Sequence, residues 1–186
     1  MTFKKKYHNW GDGKVSYIEW DKDISMPGLQ FCHATGFNAL TYKKLLEPLS
    51  DLFHIRAEDA RGHGFTETSA IPKTIFDWKI YRDDLIQSVE NFVESKGEPI
   101  VLSGHSMGGA SVMQVAAKRP DLVSGIVLVE PVLISKMSLN ILKIAKKFPI
   151  TKSIPIIKEM TSRSDSTLKR RVEFPNKEMI LKSYRG

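Results

Sequence analysis

The sequence predicts an α/β fold, a mostly parallel sheet with helices on both faces. Two observations carry this. From residue 53 onward, short apolar runs alternate with helical patterns as strand, helix, strand, helix, strand, the order that builds a parallel sheet. The runs IVLS (100–103) and GIVLV (125–129) are apolar at consecutive positions, hence on both sides of a strand, as a sheet covered on both faces requires. A chain of 186 residues is long enough to bury one such core.

Each element has its own signal. Tyr7–Trp10 and Lys14–Trp20 flank Gly11-Asp12-Gly13, residues that tolerate the positive φ of a tight turn, so a hairpin is expected at the N-terminus. LQFCHA, Leu29 to Ala34, fits a buried strand, with Cys32 inside it expected to be buried and inert. Leu40 to Leu49 has helical spacing at Leu45, Leu46 and Leu49. FHIRAED, Phe53 to Asp59, is a further strand, followed by a polar loop rich in Gly and Thr. Phe76 to Lys96 is the clearest helix, with Tyr81, Leu85, Val89, Phe92 and Val93 on one face. Lys96 and Gly97 supply its stop, a cation at the negative helix end and then a residue free to turn left-handed. PIVLS (99–103) is a strand, Met107 to Arg119 a helix closed by Pro120, and GIVLVE (125–130) a strand.

After Pro131 the texture changes. Leu139, Leu142 and Ala145 mark an amphipathic helix with Lys143, Lys146 and Lys147 on its other side, and Pro149 and Pro155 interrupt it. The expected division is therefore an α/β core over 1–131 and a basic, helical segment over 132–186. Residues 1–130 hold 15 Lys+Arg against 17 Asp+Glu, a charge of −2, and residues 131–186 hold 13 against 4, a charge of +9. A solvated helical face accounts for such a run; contact with an anionic membrane surface is the sharper alternative. No nucleic-acid motif accompanies it.

No apolar run reaches the roughly eighteen residues of a membrane span, and the N-terminal lysines have no apolar segment behind them, so neither a span nor a signal peptide is expected. One cysteine excludes an internal disulfide. A cytoplasmic location fits. No paired His or Cys stands at metal-ligand spacing and no phosphate loop is present, so neither a metal nor a cofactor is expected.

The chemistry concentrates in GHSMGG, Gly104 to Gly109, which follows a strand and opens a helix. That context marks a nucleophile elbow. A sharp turn exposes the Ser106 hydroxyl. Gly104 and Gly108, without side chains, let strand and helix approach closely. The helix beginning at Met107 aims free N–H groups and its positive end at the reacting oxygen.

With HATGFN (33–38) and DARGHG (59–64) preceding GHSMGG in that order, the chain resembles the α/β-hydrolase superfamily in its serine esterase and lipase branch, over residues 1–131. The resemblance implies an acyl-enzyme at Ser106 on a small ester, thioester or amide; a serine there disfavours the dehalogenases and epoxide hydrolases, which use an aspartate nucleophile. It implies an oxyanion hole from the N–H groups of Met107 and Phe37, with Thr35 the alternative if the loop aligns one step differently. DARGHG becomes architecture, with Arg61 and His63 holding the loop. Residues 132 onward resemble part of the family's lid.

In this family the order is Ser, then Asp or Glu, then His. The five histidines, His8, His33, His54, His63 and His105, all precede Ser106. The last strands, which carry the acid and the histidine, are also missing. The expectation is an α/β-hydrolase truncated within its lid, inactive by itself. Glu130 is the candidate acid, since some relatives carry it after strand six; the alternative is a pocket-edge or lid-anchoring carboxylate. A catalytically inactive fragment or a non-catalytic ligand-binding protein on the same fold is the competing reading. A small-molecule substrate is the expected partner, and strand six, left as a sheet edge, is expected to promote self-association.

Overall fold

Gly11 and Asp12 form the two-residue loop of the predicted hairpin, between β1 (Lys4–Trp10) and β2 (Gly13–Trp20), which pair antiparallel from Trp10↔Gly13 to Lys4↔Glu19. The computed structural model describes residues 3–21, 23–68 and 79–133, all within the compact unit Met1–Ile134. The expected lid from residue 134 onward lies outside the described residues, as do the first three residues expected of the long helix, 76–78.

β2 runs antiparallel to β4 (His54–Glu58); β4 then lies parallel to β3 (Gly28–Cys32), β3 to β5 (Ile100–His105), and β5 to β6 (Val123–Val129). The described sheet has six strands in the order β1-β2-β4-β3-β5-β6, mostly parallel as expected. The chain leaves β3 toward β4 on one side, whereas β5 lies on the other. The strand order therefore reverses beside β3, and in open α/β sheets the crevice outside the carboxyl ends of such strands is where ligands bind.

Alternation along the strands builds two cores. Ile18, Trp20, Leu29, Phe31, Ile55 and Ala57 face Ala39 and Leu46 on one side. On the other, Ile100 and Leu102 meet Leu85, Val89 and Phe92 of α2 (Lys79–Lys96) and Val112 and Val115 of α3 (Met107–Lys118). Side chains such as Phe31 and Phe92, at 2% and 0% exposure, each contribute about 1.5–3 kcal/mol by leaving water. α2 stops where expected: Gly97 takes φ +73° and its N–H donates to the Val93 carbonyl at 2.8 Å. No described helix is long and apolar enough to cross a membrane.

Two expectations are corrected. Leu40–Leu49 is not one helix. It divides into a 3-10 turn (Ala39–Tyr42), a single α turn, α1 (Lys43–Leu46), and a second 3-10 segment (Glu47–Asp51). Pro48 has no N–H to continue an α-helical ladder, and of the three leucines only Leu46 is buried while Leu45 is 56% exposed. Nor is β6 covered on both faces: Ile126, Val127 and Val129 are 45%, 54% and 42% exposed, because β6 is the edge strand of the described sheet.

Candidate active site

At the end of β5 the chain reverses into α3 through Ser106, which takes φ +53°, ψ −110°, a region that L-residues with a side chain rarely enter. Its backbone is held on both sides. The Ser106 N–H donates to the Val129 carbonyl at 3.0 Å, and its carbonyl accepts from Ala110 N–H and Val132 N–H, both at 3.1 Å. Such pinning is what a strained conformation needs in order to persist. Gly104 and Gly108 make the turn possible: a Cβ on Gly104 would lie 2.5 Å from the Gly108 carbonyl carbon, and one on Gly108 would lie 2.2 Å from the Cys32 carbonyl oxygen. The Met107 N–H is in the first turn of α3, where no intrahelical acceptor exists.

The loop after β3 lies against the start of α3. Thr35 Oγ1 donates to the Met107 sulfur at 3.2 Å. Phe37, expected to supply an oxyanion-hole N–H, lies in the same loop. Its N–H closes a turn onto the Ala34 carbonyl at 3.1 Å, with Gly36 at φ +77° in the third position. The loop is also tied to the 59–64 segment. His33 Nδ1 donates to the Ala34 carbonyl at 2.8 Å while Nε2 accepts from Ala60 N–H at 2.9 Å, and burial lowers its pKa to about 4. Asp59 accepts from Ala39 N–H at 2.8 Å and from Phe65 N–H at 2.9 Å. Arg61 pairs with Asp84 of α2 and with Asp12 of the hairpin loop. DARGHG thus braces hairpin, loop and helix together.

The other histidines also have partners other than Ser106. His105 Nδ1 lies 2.7 Å from the Tyr42 hydroxyl, His63 Nδ1 donates to the Arg61 carbonyl at 3.0 Å, His54 Nε2 meets Glu19 at 2.9 Å, and His8 stacks on Tyr17 at 4.2 Å. Glu130 follows β6 at φ +42°, exposed, one residue after the carbonyl that binds the Ser106 N–H.

Beneath the elbow a cavity is lined by Cys32, Glu58, Tyr81, Asp84, Met107 and Ser111, among others. Cys32 is part-exposed at the end of β3 rather than fully enclosed, and burial pushes its thiol pKa upward. Tyr42 and Glu58 were not singled out from the sequence; a carboxylate beside Asp59, in a strand that also carries His54 and Arg56, is the only signal Glu58 leaves there. Glu58 is buried and paired with Ser88 Oγ. Burial pushes its carboxyl up to about 8 from 4.5, against the pull of Ser88.

The folded state therefore keeps a proton that the unfolded chain releases near 4.5, so stability falls as pH rises from there through about 8. In urea titrations, Glu58→Gln is expected to remove that fall, which approaches about 1.4 kcal/mol per pH unit inside the window. Equal pH slopes in the two proteins would rule out a protonated Glu58.

A serine at positive φ between a parallel strand and the helix it opens, with a loop from the neighbouring strand over the helix start, defines an α/β-hydrolase. The sequence profile described as serine aminopeptidase, S33, matches residues 29–177, and the chain belongs to this family. It is 36% identical over 128 residues to monoglyceride lipase of Mus musculus, covering 67% of this chain and 42% of the relative. It is 32% identical over 106 residues to 2-(acetamidomethylene)succinate hydrolase of Mesorhizobium japonicum, covering 57% and 36%. A crystal structure of E-2-(acetamidomethylene)succinate hydrolase superposes with a TM-score of 0.60 at 28% identity, over 77% of this chain and 51% of the other. The thioesterase domain from the curacin biosynthetic pathway shares the fold, with a TM-score of 0.64 at 21% identity over 80% and 54%. The chain thus spans well under half the length of these two curated relatives.

Proposed function

We propose that this protein is a serine hydrolase that cleaves a small ester, thioester or amide through an acyl-enzyme at Ser106. The observation that carries the reading is the Ser106 elbow, at φ +53° with α3 opening directly behind it. The Ser106 oxygen attacks the substrate carbonyl, and the resulting oxyanion lies against the Met107 N–H and a second donor from the loop after β3. Because the Phe37 N–H closes a turn and Thr35 touches Met107, the second donor is the Thr35 N–H. Two such donors contribute about 3 kcal/mol each to the transition state. Glu130 is the acid in this reading, and residues 132–186 belong to the lid that shapes the pocket.

The five histidines all precede Ser106 and each holds another partner, so in this reading none of them is the general base. The same observation favours a second reading, a non-catalytic ligand-binding protein on this fold.

Labelling with a fluorophosphonate probe separates the two. Protein expressed from its whole reading frame is expected to take label on Ser106, and Ser106→Ala to take none. The 186 residues alone should label far more slowly, since losing the histidine of a comparable triad lowers kcat roughly a millionfold. A folded, full-length protein that takes no label would overturn the hydrolase reading in favour of ligand binding.

A further inference from the structure

His105 precedes the candidate nucleophile, yet its ring turns toward Tyr42, a residue from a distant part of the chain. Tyr42 ends the 3-10 turn Ala39–Tyr42, and that turn is fixed at its start. Asn38 Oδ1 accepts from Thr41 N–H at 3.1 Å and from Thr41 Oγ1 at 3.0 Å, and Asp59 holds Ala39 N–H. The Tyr42 ring packs on Phe31, with centroids 4.7 Å apart, and meets Phe37 at 6.1 Å and His105 at 5.9 Å. Its hydroxyl therefore arrives in one place with two partners. It accepts from Ala34 N–H at 3.2 Å and shares a hydrogen bond with His105 Nδ1 at 2.7 Å. Burial raises the Tyr42 phenol above its ordinary pKa, so it keeps its proton.

The geometry points to Tyr42 as a positioning residue, a latch whose hydroxyl joins Ala34, in the loop after β3, to His105, in the elbow. Ala34 adjoins Thr35 and His105 adjoins Ser106, so one oxygen ties the second oxyanion donor's loop to the nucleophile's turn, beside the Thr35–Met107 contact and the β3–β5 pairing. The turn closed by the Phe37 N–H keeps the loop rigid, and the latch fixes where that rigid loop sits. A displacement of about 1 Å in a reacting constellation lowers rates by roughly a hundredfold. The inference rests on the reading of Ser106 as nucleophile and Thr35 N–H as donor.

Tyr42→Phe removes the oxygen and keeps the ring on Phe31, Phe37 and His105, so the protein is expected to fold, its thermal midpoint lowered only by the unpaired Ala34 N–H. In full-length protein, the fluorophosphonate reaction at Ser106 is expected to lose roughly tenfold to a hundredfold in kinact with KI unchanged. The Ala34 amide should also exchange with deuterium at least about tenfold faster, because its acceptor is gone. A purely structural role would lower the midpoint in the same way and leave kinact alone. Unchanged kinact in a folded variant would overturn the proposal. If the wild-type protein takes no label, the hydrolase reading fails by itself, and Ala34 exchange then decides the latch: faster exchange in Tyr42→Phe upholds it and unchanged exchange overturns it.

Discussion

Glu19→Gln is expected to destabilise the protein by about 3–5 kcal/mol at neutral pH. Glu19 is 1% exposed in β2, directly opposite Arg56 in the register with β4. One carboxylate oxygen accepts from Arg56 Nε at 2.7 Å and meets His54 Nε2 at 2.9 Å; the other pairs with Lys6 of β1. Burial by itself would push the Glu19 carboxyl upward, but the hydrogen bonds from His54, Lys6 and Arg56 outweigh it and hold the carboxyl well below its ordinary range. The amide keeps the shape and removes the charge. Arg56 then remains 9% exposed, lying over Phe92 at 4.2 Å, with its main counter-ion gone. A depressed carboxylate stabilises above the ordinary carboxylate pKa, and that contribution is lost as pH falls through the folded value. Wild type should therefore lose its advantage over Glu19→Gln in acid. Asp121→Asn is the control, because Asp121 and Arg119 pair in solvent, 59% and 33% exposed, where an ion pair contributes little. Urea denaturation that places Glu19→Gln beside Asp121→Asn would refute a cooperative buried network.

This cluster also shows where the sequence stops being legible. The elbow could be read because its logic lies within six consecutive residues, Gly104 to Gly109, and a strand and helix signal flank them. The parallel sheet could be read from the consecutive apolar residues of β5. Glu19, His54 and Arg56 could not be grouped in advance. They are 35 and 37 residues apart, and only the pairing register of β2 with β4 brings them together. Phe53–Asp59 was recognisable as a strand, but its charged residues had no visible destination.

The loop after β3 was opaque for a related reason. HATGFN marked the loop, but not which of its N–H groups the turn consumes. Gly36 at φ +77° decides that, and no motif prints a dihedral angle. β6 was legible as a strand and not in its exposure, because an apolar run says that a face can be covered and not that a neighbour covers it. Tyr42 was hidden by its own element, a single 3-10 turn too short to leave a periodic trace. What the sequence displays is local geometry and composition; what it conceals is register, turn type and which neighbour arrives.

Gly108→Ala is expected to destabilise the protein by about 3 kcal/mol or more, opposite in sign to what helix propensity alone predicts. Alanine in a helix interior normally improves on glycine by about 1 kcal/mol. Here the added Cβ would lie 2.2 Å from the Cys32 carbonyl oxygen, 2.5 Å from its carbon and 2.8 Å from its Cβ. The two nearest atoms are backbone, so no side-chain rotation relieves the clash. β3 cannot withdraw, because it is hydrogen-bonded to β4 on one side and β5 on the other. α3 cannot withdraw without pulling Val112 and Val115, both at 0% exposure, out of the core. Gly125→Ala supplies the contrast within the same sheet: nothing lies within 4 Å of its added Cβ, so it should be neutral or slightly stabilising through the unfolded chain. Any Gly108→Ala protein that does fold must hold β3 and α3 apart, which separates Thr35 from Met107 and should slow Ser106 labelling along with the loss of stability. Urea midpoints for Gly108→Ala and Gly125→Ala that coincide would mean that α3 does not sit this close to β3, and the oxyanion geometry built on that contact would fall with it.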